Sequence, residues 1–256
     1  MSEKVRLDQL VLGLGLVESR EQGRRLIMAG EVLVNGQVVD KPGMPVATDA
    51  EITLKSKPRF VSRGGDKLLA AFEQFGLDVT GQVCADVGSS TGGFTDCLLQ
   101  HGAARVYALD VGKGILHYSL RSDPRVVVME KTNARYVDVL PEPVQTVVCD
   151  ASFISVRLLL PVMAGWVAAG GQMVILIKPQ FEVGQAQVGK GGVVRSAALH
   201  RQAVVDVLLA AAELGWGATH LAESPLRGPA GNVEFLARLV KGGGEHIAGL
   251  VDGVFA

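Results

Sequence analysis

The sequence predicts a doubly wound α/β domain preceded by a small α+β module, and three observations carry that prediction. Residues 83–97, VCADVGSSTGGFTDC, read as a buried strand running into a glycine-rich turn and then a helix. From there on, apolar strand-like runs alternate with helical patterns in five β/α units and a closing pair of strands, the order of a sheet covered by helices on both faces. Ahead of this series stand two short helical patterns and an Asn35-Gly36 hairpin signal, set apart by the basic connector KSKPR at residues 55–59.

The small module comes first. Leu7, Leu10, Val11 and Leu14 repeat at helical spacing, with Gly15 as the stop. Ser19-Arg20-Glu21-Gln22 has the form of a capping box, with Ser19 as N-cap and Gln22 reaching back, and Gly30 closes this second helix after Leu26 and Ile27. Val32-Leu33-Val34 and Val38-Val39 flank Asn35-Gly36, the strongest short-range signal for a hairpin. Arg20, Arg24 and Arg25 share the second helix, which can grip phosphates or face solvent. Nine Lys/Arg against eight Asp/Glu in residues 1–62 leave both readings open.

In the larger domain, Phe60 to Gly65 lead into a helix with Leu68, Leu69, Phe72 and Phe75 on one side and Lys67 on the other. A lysine early in a helix opposes the dipole, which singles it out. Strands are predicted over 83–87, 105–109, 126–129, 144–149 and 173–177, with two more over 218–222 and 233–240. Helices are predicted over 159–168 and 197–214, and residues 180–195, with Gly184, Gly189, Gly191 and Gly192, read as a mobile loop over the site.

The glycines of the turn fall as GxxxGG, not as the GxGxxG that presses backbone against a dinucleotide pyrophosphate. Asp86 at the mouth of the turn would repel a pyrophosphate and tolerate a cation, which favours S-adenosylmethionine with its sulfonium and amino group. The competing reading is a tight glycine turn with no ligand. Asp110 closes the next strand, roughly 20 residues beyond the turn, where an acid that binds ribose hydroxyls usually stands. Asn133 follows the third strand, on the adenine side of the same crevice. Asp86, Asp110, Asp150 and Lys178 all end predicted strands, the edge at which open α/β sheets collect their sites. A lysine in a partly desolvated pocket beside a second cation can accept a proton from an alcohol. Lys178 with Lys67 as that cation, balanced by Asp150 and Glu234, suits such a step, although each alone also reads as a structural ion pair.

Composition excludes several classes. A chain of 256 residues with 48% hydrophobic content can bury the core of such a domain plus a small one. Cys84, Cys97 and Cys149 are odd in number and sit in apolar patterns, so they read as core residues in a reducing cytoplasm. No apolar leader follows MSEKVR, and the longest apolar run, 158–171, is broken by Pro161 and short of a bilayer span. The five histidines share no spacing with each other or with cysteine, so no metal is expected. Net charge is −1, so any nucleic-acid contact must come from a local patch.

Two resemblances sharpen the reading. SREQGRRLIMAGEVLVNGQVV resembles the S-four-type RNA-binding module of a small-subunit ribosomal protein, pseudouridine synthases and tyrosyl-tRNA synthetases. Across nearly the whole chain, SRGGDKL, DVGSSTGGFTDCLLQ, DVGKGIL, DASFIS, KPQFEVG, VGKGGVVR and SPLRGPAGNVEF, in that order, resemble the hemolysin-A-like (TlyA) family of ribosomal RNA 2′-O-methyltransferases. This implies a Rossmann-like class I methyltransferase with a mostly parallel seven-stranded sheet of FtsJ-like type, and domains at 1–58 and 59–245 with a tail at 246–256. It implies S-adenosylmethionine as cofactor and ribosomal RNA or ribosomal subunits as partner. Lys67, Asp150, Lys178 and Glu234 would form the catalytic tetrad, with Lys178 as base on the ribose hydroxyl. Asp86, Gly88, Ser89, Ser90, Gly92 and Phe94 would line the cofactor's methionine end, Asp110 its ribose, Asn133 its adenine side and Asp150 its methyl group. Arg6, Arg20, Arg24, Arg25 and Arg63 are the candidates for RNA contact. Ser89 and Ala151 depart from the family's commoner alanine and valine, away from the proposed chemistry. The family also carries a hemolysin label, so membrane damage is the alternative, as is RNA binding without catalysis.

Overall fold

A computed structural model describes residues 4–17, 19–55, 59–244 and 246–256, so the middle of the KSKPR connector lies outside the described residues. The chain divides into two compact units, Met1–Lys57 and Pro58–Ala256.

In the first unit, β1 (Lys4–Arg6) leads directly into α1 (Leu7–Gly13), and α2 (Arg20–Met28) follows. Ser19 Oγ accepts the Gln22 N–H at 3.2 Å, the N-cap read from the sequence. β2 (Val32–Val34) and β3 (Gln37–Val38) form the predicted hairpin, with Asn35 and Gly36 both left-handed at φ 49° and 77°, as a type I′ turn requires. β4 (Pro45–Ala47) pairs with β1, and β5 (Ile52–Leu54) flanks β2 on the side away from β3. Three-residue strands carry too little alternation to announce themselves, so β1, β4 and β5 were not legible. Leu7, Leu10, Val11, Ile27, Val32 and Ile52 form a core of their own.

The second unit opens with α3 (Gly64–Phe75), β6 (Val83–Val87), α4 (Gly93–Gln100), β7 (Arg105–Leu109), α5 (Tyr118–Arg121) and β8 (Val126–Met129). It continues with β9 (Val144–Cys149), α6 (Leu160–Trp166), β10 (Val167–Ile177), α7 (Pro179–Glu182), α8 (Ala197–Glu213), β11 (Trp216–Glu223), β12 (Phe235–Lys241) and α9 (Ile247–Phe255). These strands make one seven-stranded sheet, ordered β11-β12-β10-β9-β6-β7-β8. β6 to β10 run parallel and β12 is inserted antiparallel between β10 and β11. Successive residues of β6 serve opposite faces: Ala85 and Val87 join one core with Met163, Trp166 and Trp216, and Cys84 joins another with Leu68, Phe72 and Leu98. The strand order reverses between β6 and β9, which opens a crevice at their carboxyl ends.

Two elements differ from the sequence reading. β10 begins at Val167, six residues earlier than predicted, because the chain leaves α6 straight into the sheet and absorbs Gly170-Gly171 as an irregularity in register. Residues 246–256, set apart as a tail, contain α9, whose Ile247, Leu250, Val251, Val254 and Phe255 pack on the first of those cores. Gly249 and Gly253 dilute that helical stripe in the sequence.

Candidate active site

The glycine turn after β6 is shaped by backbone contacts. Gly88 has φ 82°, and a Cβ there would meet the Asp150 carbonyl oxygen and the Ala151 Cα, each at 2.9 Å. Gly92, at φ 100°, has no room either: a Cβ would fall 2.2 Å from Leu120 Cδ1. The N–H groups of Gly88 and Ser89 both donate to the Leu109 carbonyl, at 2.9 and 3.0 Å. Asp110 braces the turn from the next strand, with Oδ2 accepting the Ser90 N–H at 2.8 Å and Oδ1 the Gly112 N–H at 2.7 Å.

Beneath the turn Asp86 is fully buried; its Oδ2 accepts the Thr95 hydroxyl at 2.6 Å and its Oδ1 is buried without a hydrogen-bond partner. Burial pushes its carboxyl up to about 7; the Thr95 hydrogen bond opposes that, and the Asp150 and Asp110 charges add to it. Three acidic side chains at neighbouring strand ends, one of them with an oxygen that lacks a partner, make a place where a cation is welcome and an anion is not.

The four residues expected to act together do meet. Lys178 Nζ lies 2.5 Å from Asp150 Oδ1 and donates to Ser152 Oγ at 2.8 Å and to the Asp150 carbonyl at 3.3 Å. Lys67 Nζ donates to Glu234 Oε2 at 2.6 Å and stands 3.8 Å from Asp150 Oδ2. Charges therefore alternate along the series Glu234, Lys67, Asp150, Lys178, with Ser152 at its end. Each comes from a different element: Lys67 from the first turn of α3, Asp150 from the end of β9, Lys178 from the end of β10 and Glu234 from the residue before β12. Lys67 is among the buried residues of α3, with Glu234 held against its amine. Gly228 lets the preceding loop close over Glu234, since a Cβ there would lie 2.6 Å from Glu234 Oε1.

All four line one cavity of about 560 Å³ at the crevice, together with Gly88, Ser89, Ser90, Phe94 and Arg63. That size falls in the ordinary range for small-molecule sites. Asp86, Gly92 and Asp110 stand behind this wall and shape it. Asn133 is not brought to it: the residue is exposed, and its Oδ1 accepts the Arg135 N–H at 3.1 Å as the cap of a single 3-10 turn. Phe153 stands at the cavity 92% exposed, left-handed at φ 64°, with its ring 5.4 Å from that of Phe181. The glycine loop over the site is tied down, with Asn232 bonding the Gly192 carbonyl at 2.9 Å and the Val194 N–H at 3.0 Å. Sequence reasoning missed Ser152, Thr95 and Asn232, whose partners lie 26, 9 and 40 residues away.

In the first unit Arg20, Arg24 and Arg25 line a shallow groove along α2 with Met28. Arg6 and Arg20 converge on the buried Asp8, whose oxygens accept from both guanidinium groups at 3.0 Å. The Arg6 hydrogen bonds, helped by Arg20, hold the Asp8 carboxyl down at about 2. Among the described residues no group of three or more His, Cys, Asp or Glu could hold a metal ion, and no helix is long and apolar enough to cross a membrane.

The chain is similar to known proteins over most of its length. The family model for FtsJ-like methyltransferases matches residues 60–241, and that for the S4 domain matches residues 5–52. The chain is 46% identical over 239 residues to the 16S/23S rRNA (cytidine-2′-O)-methyltransferase TlyA of Mycobacterium tuberculosis, covering 92% of this chain and 89% of that one. It is 39% identical over 242 residues to a protein of Brachyspira hyodysenteriae named hemolysin A, covering 92% of this chain and all of that one, 100%. A solved structure from Streptococcus thermophilus, titled a hemolysin, superposes with a TM-score of 0.73 at 42% identity, covering 99% of this chain and 96% of that chain. Bearing an S4 domain ahead of the sheet that holds the tetrad, this chain belongs to the FtsJ-like methyltransferase family.

Proposed function

We propose that this protein transfers a methyl group from S-adenosylmethionine to the ribose 2′-hydroxyl of ribosomal RNA, on a cytidine of the large subunit and, as a second substrate, of the small subunit. The observation that carries this reading is the alternating series Glu234, Lys67, Asp150, Lys178 on the wall of a single cavity beside the glycine turn. The relative from Mycobacterium tuberculosis is named for this reaction on cytidine of 16S and 23S rRNA. The S4 domain and the arginines of α2, with Arg63 at the cavity, supply the RNA contacts in this reading, and the work is done in the cytoplasm, where ribosomes are built.

The cofactor fits the residues present: the glycine turn brings Gly88, Ser89, Ser90 and Gly93 to the cavity wall, and the buried, partly unpartnered acidic side chains favour a positive ligand. When bound it supplies an electrophilic methyl group. Asp86, the turn from Gly88 to Ser90, Gly92 and Phe94 would hold its methionine end, and Asp110 its ribose hydroxyls in exchange for backbone N–H groups. Asn133 would have to give up its capping bond to reach the adenine. Lys178 Nζ is placed to take the proton of the 2′-hydroxyl, and the ribose oxygen would then accept the methyl group as its bond to sulfur breaks and the cofactor leaves as the neutral thioether. Asp150 holds that amine and points it, while Lys67, itself held by Glu234, sets the field around Asp150. Phe153, exposed on a left-handed turn at the mouth, offers a flat face on which an unstacked base can rest. Strand β9 ends in Asp150-Ala151-Ser152-Phe153 and lacks the Asn-Pro-Pro-aromatic end common in methylation of base nitrogens, which favours the ribose.

Labelled methyl transfer to separated, undermethylated ribosomal subunits and to free RNA tests the proposal. The wild type should yield a 2′-O-methylnucleoside. Lys178→Ala should fall at least about 1,000-fold while binding the cofactor as before. Label on a base, or full activity of the variant, would overturn the reading.

A further inference from the structure

The short helix α7 is fastened at both ends to the segment that follows β9. At its start Lys178 reaches Asp150 and Ser152. At its end the buried Glu182 reaches a few residues further along the same segment. Glu182 Oε1 accepts the Val156 N–H at 2.7 Å, and Oε2 accepts the Ser155 hydroxyl at 2.6 Å and Arg157 Nε at 3.2 Å. Arg157 Nη2 returns a bond to the Glu182 carbonyl at 3.1 Å. Between the two fastenings stand the left-handed Phe153 and its ring partner Phe181.

A buried carboxylate met by an N–H, a hydroxyl and a guanidinium is a fixed point, since breaking any one contact leaves a charge short of a partner. The bonds at the other end cannot serve that purpose. In the 2′-O-methylation reading, on which this inference rests, Lys178 Nζ must turn from Ser152 toward the substrate hydroxyl, and a segment held only by that amine would move with it. Glu182 does not line the cavity. We propose that Glu182 is a positioning residue, an anchor that keeps Asp150, Ser152 and Phe153 in place while Lys178 exchanges its bonds.

The full-length protein is tested as Glu182→Gln and as Ser155→Ala, which removes one hydroxyl from the anchor. Four quantities are read beside wild type and Lys178→Ala: kcat, KM for RNA, cofactor Kd by calorimetry, and amide hydrogen exchange. Glu182→Gln should lower kcat about tenfold or more, raise KM for RNA through the loosened Phe153, leave cofactor Kd within roughly twofold, and speed exchange at residues 151–157 selectively. Ser155→Ala should show the same pattern more weakly. An unchanged kcat in the folded Glu182→Gln protein, or exchange that rises evenly over the whole unit, overturns the proposal. If Glu182→Gln does not fold, the same outcomes are read from Ser155→Ala. If the wild type itself transfers no methyl group, the reading of the reaction has failed, and exchange at residues 151–157 still decides whether Glu182 anchors the segment: unchanged exchange there overturns it.

Discussion

Asp86 shows how one side chain couples stability to ligand. Its native carboxyl holds a proton up to about 7, against 3.8 ordinarily, so it binds that proton more tightly folded than unfolded. The stability this contributes is present in full below 3.8 and is lost as pH rises through about 7. The stability margin of the cofactor-free protein over Asp86→Asn should therefore shrink between pH 5 and 7, by up to roughly 1 kcal/mol per pH unit, in urea titrations at each pH. A bound cation favours the ionised form, so affinity for S-adenosylmethionine should weaken as pH falls below about 7, and Asp86→Asn should flatten that dependence in calorimetry. The acid itself was legible from its place at a strand end, and so were Asp150 and Lys178, while Lys67 stood out as a lysine early in a helix and Glu234 entered only as a balancing carboxylate. Ser152 and Glu182 were not, because their worth lies in contacts 25 to 27 residues away that only the folded β9 and β10 create.

Elements were read best where local chemistry decides them. The stretch from β6 to α4 declared itself by alternation, by glycines and by the helical stripe beyond, and the Asn35-Gly36 turn by its need for two left-handed residues. β10 and α9 misled because paired or spaced glycines imitate a break, whereas pairing with Val144 carries β10 across Gly170-Gly171 and packing of its apolar side chains holds α9. The starts of α3 and α4 meet through glycine: a Cβ on Gly93 would lie 2.5 Å from Ser62 Oγ and 2.7 Å from the Gly65 nitrogen. Backbone cannot retreat as a side chain can, so Gly93→Ala should cost about 1–3 kcal/mol, seen as a lower urea midpoint. The same change should weaken cofactor binding, since Gly93 lines the cavity.

At the scale of the whole molecule, each unit owns its core, which predicts that the two tasks separate. A fragment of residues 59–256 should fold and keep its cofactor Kd. It should lose affinity for ribosomal RNA, together with part of the salt dependence that phosphate contacts confer, as filter binding over a salt series would show. The Lys67–Glu234 pair spans 167 positions, and its carboxylate stands just ahead of the antiparallel strand set between two others. Synthesis proceeds from the amino end, so the glycine turn and its bracing aspartates are made long before that glutamate. A nascent chain halted before residue 234 would own a pocket for the methyl donor and no finished charge relay beside it. In the proposed reading of these four residues, competence to modify RNA is thereby tied to nearly complete translation, and a stalled or clipped product would be silent instead of indiscriminate.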